Sequence, residues 1–289
     1  MMKKITRYFL FLALFFFVTA TAVAQSNLDS ILYDFHNRPD RVLVAAHRVQ
    51  SENYPENSIA AIKEMIAMGV DIVELDVRET KDGVMVMVHD KTVDRTTNGK
   101  GLVSEMTWKQ LKRLRLLHNG KPTAERIPTF KEVLALVKGR VMLDIDYKAE
   151  GERAAKTTLQ ILRKKKIEQQ CLFFLYDYKD ADALYAINPN LQFMTRTYNK
   201  EDVDGVFQLK MPVSIIHADD KFYSDSLMHV IRQKGKRLWM NALNKYDKME
   251  LEHKNSGFDA LLQLKYTNVI QTDLPKALLA YLKERGLHR

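Results

Sequence analysis

Between Ala45 and Asp90 stand four side chains suited to proton transfer and cation binding: His47, Glu74, Asp76 and His89. Glu74 and Asp76 are two apart in the apolar run DIVELDV, so on a strand their carboxylates point to one face. Two acids turned together repel unless a cation lies between them. Donors that are all oxygen suit a hard ion, Mg2+ or Ca2+. The run LDIDYK repeats the pattern, with Asp144, Asp146 and Lys148 at alternate positions. Asp146, nearer the strand end, would complete a three-carboxylate site, and Lys148 beside it suits an anionic oxygen such as that of a phosphate. Asp144, deeper in the run, receives no role.

His47 and His89 each close an apolar run and each precede a charged residue, Arg48 and Asp90. Two histidines converging on a cation site suit general acid/base catalysis, one removing a proton while the other supplies one. Metal ligation is their competing role, and the oxygen-rich neighbours argue against it. Arg48 has the geometry to clamp a phosphate bidentately. Glu56, in the PEN triplet that follows, is a candidate further ligand or a group that orients Arg48. From the residues alone, the chemistry is metal-assisted hydrolysis of an anionic ester, a phosphate ester above all.

The elements that must carry these residues follow from hydrophobic patterning. Short β-rich runs alternate with amphipathic helical patterns from Arg41 onward, the signature of βα units and a parallel sheet. Strands are expected at 42–46, 72–77, 84–88, 141–145, 172–176, 192–196, 214–217, 238–242 and 269–271. That is one more than an eight-stranded barrel uses, so 72–77 and 84–88 are expected to pair through the turn Lys81-Asp82-Gly83. Helices are expected at 58–68, 129–137, 152–166, 180–187, 225–234 and 275–285, the last opening with Pro275 at its first position. Residues 91–128 break the rhythm, with turn residues and a short helix near 107–116. An insertion after an early strand falls on the catalytic face of a barrel, as a lid or substrate wall. No Pro/Gly/Ser-rich linker divides the chain, so residues 25–289 suit one α/β domain.

With these motifs in order, AHR with PENS, ELDVRETKDG, VMVHD, DRTTNGKG, IPTFKEVL, LDIDYK and IQTDLP, the chain resembles the glycerophosphodiester phosphodiesterase family from Val42 to about Leu282. The resemblance implies a (β/α)8 TIM barrel with a small insertion matching residues 91–128. It also implies hydrolysis of glycerophosphodiesters to glycerol 3-phosphate and an alcohol with a divalent cation. By matching positions, His47 and His89 take the general acid/base roles, Glu74, Asp76 and Asp146 the metal positions, and Arg48 and Lys148 the phosphate contacts. In WMNALN, Trp239 or Asn241 would line the glycerol side. Two departures stand out. Val49 occupies the place of the family's usual Gly after His-Arg, and Asp146 that of its usual Glu. Two other readings compete: a phospholipase-like enzyme with an apolar rim, for which Leu114, Leu116 and Leu117 are the candidates, and a binding barrel without turnover.

Several features bound the cellular setting. The chain opens with Lys3, Lys4 and Arg7, an apolar run over 8–18 and the small-residue ending Ala22-Val23-Ala24, the pattern of a signal peptide cleaved after residue 24. A periplasmic or secreted protein is therefore expected. Cys171 is the single cysteine, which excludes an internal disulfide framework. The formal charge of +9 comes from basic residues scattered among acids with no interleaved aromatics, which argues against nucleic acid. The one dense cluster, Arg163 to Lys166, closes an expected helix, where cations complement the dipole. A transient contact with an anionic membrane surface is its other use. The expected partner is a small glycerophosphodiester, with no obligate protein partner.

Overall fold

The computed structural model describes residues 27–149 and 152–289; the expected export segment, residues 1–24, lies outside the described residues. Apolar runs become strands where the expected patterning put them. In chain order they are β1 (Leu43–Ala46), β2 (Ile72–Glu79), β3 (Met85–Met87), β4 (Leu117–His118), β5 (Lys121–Pro122), β6 (Met142–Tyr147), β7 (Cys171–Leu175), β8 (Gln192–Arg196), β9 (Val213–His217), β10 (Arg237–Asn241) and β11 (Val269–Thr272). Eight of them, β1, β2 and β6 to β11, pair in parallel and close into a ring through β1 with β2 on one side and β1 with β11 on the other. This is a TIM barrel. Its strands are buried on both faces, which is why they read as continuous apolar runs rather than alternating ones.

The ninth expected strand stays outside the ring. β3 pairs antiparallel with β2, Val77 opposite Met87 and Glu79 opposite Met85. The turn between them is the expected one, with Gly83 at φ 80° and Thr80 N–H donating to Val84 O at 2.9 Å. β3 thereby raises His89 beside the acids of β2.

Residues 91–128 carry a small apolar core of their own, in which Val93, Val103, Leu111, Leu116 and Ile127 pack on Val86 and Val88. The helix expected over 107–116 shrinks to Trp108–Leu111. Beyond it the backbone is captured by other partners: Arg115 N–H donates to Asn98 Oδ1, Leu116 N–H to Glu125 O and Leu117 N–H to Thr96 O. β4 and β5 form a hairpin around Asn119 and Gly120, both at positive φ as a type I′ turn demands. Leu116 is buried and Leu114 packs against the same cluster. Leu117, the third candidate for an apolar rim, is half-buried.

Four helices escaped the pattern reading: Asn27–Asn37, Lys200–Gln208, Lys245–Glu252 and Ser256–Leu262. The first packs under the barrel through Leu28, Ile31 and Phe35. There the buried Arg237 donates to the carbonyls of Asp34, Phe35, Arg38, Arg41 and Asn268, closing the end away from the chemistry. Among the described residues no helix is long and apolar enough to cross a membrane.

Candidate active site at the barrel mouth

The acids are brought together by strand register. In the parallel pairing of β2 with β6, Glu74 lies opposite Asp144 and Asp76 opposite Asp146. The inward face therefore carries four carboxyl groups in two rows. Ligand-capable oxygens of Glu74, Asp76 and Asp146 all lie within 4.8 Å of one another. Burial, then repulsion by Asp76, Asp146 and Asp144, pushes the Glu74 carboxyl well above its ordinary range. Asp144 is pushed well up for the same two reasons. Asp76 is raised by burial and by Asp146, with His89, Lys148 and Arg48 pulling the other way.

A cation fits this arrangement. Asp76 Oδ1 and Asp144 Oδ1 are buried without a hydrogen-bond partner among the described residues. Lys148 Nζ stands 3.6 Å from Asp76 Oδ1, near enough for charge attraction and too far for a hydrogen bond. The donors are carboxylate oxygens, the chemistry of a hard divalent ion. Asp146 occupies its corner of the cluster with a side chain one methylene shorter than Glu. Tyr176 O–H donates to its Oδ1 at 2.8 Å, and Lys148 Nζ donates to its Oδ2 at 2.6 Å. Lys148 also donates to Tyr176 Oη at 2.6 Å. Burial alone would lower the Lys148 ammonium; Asp146 and these hydrogen bonds hold it above its ordinary value.

The two histidines come from the two strands that share the edge of β2 opposite β6, β1 along its first residues and β3 along its last. His47 follows β1, and His89 lies just beyond β3. Each ring is oriented by a carboxylate at Nδ1: Asp273 Oδ1 for His47 at 2.7 Å and Asp90 Oδ1 for His89 at 2.6 Å. An ionised carboxylate only accepts, so Nδ1 carries the proton on both rings and Nε2 is left for proton transfer. Asp273 is itself placed by Asp247, which accepts from Asp273 N–H at 2.8 Å and from Thr272 Oγ1 at 2.6 Å. Asp90 is held at about 2, first by the hydrogen bonds of Arg95 and then by His89. Arg78 fixes the same region from below, donating from Nε and Nη2 to His89 O and from Nη1 to Lys148 O.

Arg48 sits in a strained loop. Its N–H donates to Glu74 Oε2 at 2.7 Å, its O accepts from Asn57 N–H at 2.9 Å, and its Nε is 3.8 Å from Asp76 Oδ2. Arg48, Val49 and Asn57 all have positive φ, at 49°, 47° and 56°. For Val49, β-branched and fully buried, that conformation is an outlier costing about 1–3 kcal/mol. A Gly, which the resemblance leads one to expect at this place, would take that conformation without strain, and the loop keeps its left-handed turn with Val49 instead.

Two expected residues stand elsewhere. Glu56 is outside the carboxylate cluster, because Arg95 Nη1 and Nη2 take its two oxygens at 2.7 and 2.9 Å. The orienting of Arg48 expected of Glu56 falls to Asn57. Trp239 is fully buried, and its indole N–H donates to Asn241 Oδ1 at 2.9 Å. Only Asn241 of that pair lines the cavity of ≈ 160 Å³ at the mouth, together with His47, Arg48, Glu74, His89 and Asp146. Tyr176, Arg196, His217 and Gln271 line it too. Pattern reading passed over these four, as it passed over Asp273 although IQTDLP was among the motifs.

A parallel barrel whose mouth holds clustered carboxylates, two carboxylate-oriented histidines and phosphate-suited cations has the build of a hydrolase barrel for anionic esters. Comparison with known proteins narrows the class. The model of the glycerophosphoryl diester phosphodiesterase family matches residues 47–256, and the chain belongs to that family. A glycerophosphodiester phosphodiesterase of Caldanaerobacter subterraneus subsp. tengcongensis is 50% identical over 99 residues, 34% of this chain and 41% of that one. One from Bacillus altitudinis is 42% identical over 185 residues, 62% of this chain and 76% of that one. The matched stretch thus spans about two fifths of the length of the first curated relatives. A crystal structure of a glycerophosphoryl diester phosphodiesterase from Parabacteroides distasonis superposes with a TM-score of 0.79 at 26% identity, covering 90% of this chain and 93% of that one.

Proposed function

We propose that the protein hydrolyses glycerophosphodiesters to glycerol 3-phosphate and an alcohol with the help of a divalent cation, Mg2+ or Ca2+. The observation that carries the proposal is the flanking of the Glu74, Asp76 and Asp146 cluster by two histidines whose Nδ1 atoms are each tied to a carboxylate. Family membership supplies the substrate class.

In this reading Glu74, Asp76 and Asp146 hold the cation. When bound it neutralises charge on the phosphate and favours attack at phosphorus. Arg48 and Lys148 meet the phosphate oxygens from the chain's own side. Nε2 of one histidine takes the proton of the nucleophile, and Nε2 of the other gives a proton to the departing alkoxide. Asp273 and Asp90 hold both rings in the tautomer that makes this exchange possible. Asn241 faces the glycerol side.

The test is a panel of deacylated head groups assayed with Mg2+, Ca2+, Mn2+ and chelator, scoring glycerol 3-phosphate release. Turnover that depends on a divalent cation, and falls by about 100-fold or more in each of His47→Ala and His89→Ala, is expected. Tight binding without hydrolysis at any cation would instead establish a binding barrel. Phosphatidylcholine vesicles assayed in parallel address intact lipid; the burial of Leu116 and the packing of Leu114 lead us to expect no turnover there. We also infer export, with residues 1–24 removed. Amino-terminal sequencing of the protein recovered outside the cytoplasm should begin at Gln25.

A further inference from the structure

We propose that Arg196 and His217 form a hydroxyl-reading wall across the cavity from the acidic cluster, so that they select an alcohol arm of the diester. The inference deepens the functional reading above and rests on it.

The wall is placed by topology. Arg196 ends β8 and His217 ends β9, the fifth and sixth strands of the ring counted from β1, whereas the acids stand on the second and third. Both residues line the same ≈ 160 Å³ cavity as Glu74 and Asp146. A diester phosphate seated at the acids has two arms, and this wall is what the arm extending away from them meets.

The wall has unused donors. Arg196 Nη1 donates to His217 Nε2 at 2.8 Å, which leaves the imidazole proton on Nδ1. Among the described residues neither His217 Nδ1 nor Arg196 Nε has a hydrogen-bond partner, although His217 is 4% exposed. Burial, with Arg196 beside it, holds the imidazole well below its ordinary value, so the ring stays neutral. His217 Nδ1 and Arg196 Nε are both shielded from the cavity, so what a ligand oxygen meets is the part of Arg196 that lines it: the side chain is 22% exposed, and Nη1 and Nη2 each keep a second N–H beyond the bonds to His217 and Asp219.

Charge balance says which oxygen. Arg196 Nη2 donates to Asp219 Oδ2 at 3.0 Å, so its cation is already matched by a carboxylate. A neutral, donor-rich wall with one acceptor beside it suits an alcohol hydroxyl better than a second phosphate or a quaternary ammonium. The two side chains are also held still. His217 packs against Phe174 and Trp239 at ring distances of 5.7 and 6.1 Å, and Tyr198 lies 5.6 Å from the Arg196 guanidinium carbon.

The experiment compares wild type with Arg196→Met and Arg196→Lys on three substrates: glycerophosphocholine, glycerophosphoglycerol and bis(p-nitrophenyl) phosphate. The first bears hydroxyls on its glycerol arm only, the second on both arms, the third on neither. We expect kcat/KM to fall on the order of 10- to 100-fold on hydroxyl-bearing substrates, the scale of losing a hydrogen bond to a charged group, and to stay within about threefold on the aryl diester. A loss on both glycerol substrates assigns the wall to the common glycerol arm. A loss on glycerophosphoglycerol alone assigns it to the head group, and either result supports the proposal. An equal loss on all three substrates, or no loss on any, overturns it. Wild-type protein that cleaves the aryl diester but neither glycerophosphodiester overturns the functional reading instead, and this inference with it.

Discussion

The sharpest consequence of four carboxyl groups packed on β2 and β6 is that they destabilise the fold when no cation lies between them. Glu74→Gln tests this. The oxygens of Glu74 lie within 4.8 Å of those of Asp76 and Asp146. At an effective dielectric of about 20, a pair of unit charges 4.8 Å apart repels by about 3.5 kcal/mol. Arg48 and Lys148 offset part of this, leaving a net gain of about 2 kcal/mol on removing the Glu74 charge. The amide oxygen of Gln keeps the bond now made by Arg48 N–H to Glu74 Oε2. For a domain this size each kcal/mol moves Tm by about 2–4 °C, so in chelator at pH 8 the variant should melt about 4–8 °C above wild type. Saturating cation should reverse the order. Wild type gains about 2.7 kcal/mol at a hundredfold excess over Kd, and a variant lacking one ligand gains less. The pH dependence has a definite sign. A carboxyl raised in the folded state costs nothing below its ordinary value of 4.5, and its cost grows as pH rises from there. The Tm gap in chelator should therefore narrow as pH falls toward 4.5. Calorimetry with chelator and with Mg2+ or Ca2+ measures all of this. A Glu74→Gln protein that melts below wild type in chelator at pH 8 refutes the reasoning.

Other perturbations follow from the same geometry. Arg95→Ala frees both Asp90 and Glu56; with His89 less firmly oriented, kcat should fall about tenfold, some 1.4 kcal/mol, with KM little changed. His217→Gln should flatten the acid side of the stability profile. A neutral buried imidazole in the folded state means that stability is lost as pH falls below 6.5, and the variant should lose less of it in urea titrations between pH 7 and 5. Val49→Gly relieves a left-handed β-branched residue but gives up its buried side chain, terms of about 1–3 and about 1.5–3 kcal/mol. Tm should move by only a few degrees and activity should persist. A loss of more than tenfold in kcat/KM would mean that Val49 shapes the site for this chain in particular.

Most of the barrel and the heart of the site were legible because they rest on local patterns. Strands buried on both faces appear as apolar runs whatever their neighbours, and alternation along β2 and β6 tells which acids share a face. The β2–β3 turn was readable because Gly83 must take a positive φ. The helix over 245–252 was not, since its polar sequence is set by packing. There Gly257 lets the following helix approach so closely that a Cβ would lie 1.9 Å from Tyr246 O.

The amino-acid sequence by itself determined the parallel architecture, the acids of β2 and β6, the two histidines with Arg48 and Lys148, and the family. Tertiary structure alone decided who orients whom. Asp273 lies 226 residues from His47, and Arg196 stands 21 residues from His217; no local spacing predicts either meeting. Closure of the ring brings β11 beside β1 and faces β8 and β9 toward β2, and only then do the carboxylate behind His47 and the wall opposite the acids exist. The same closure withdrew Trp239 into the core and gave Glu56 to Arg95. A side chain's type says what chemistry it can do, but which partner claims it depends on distances that arise only when the strands close.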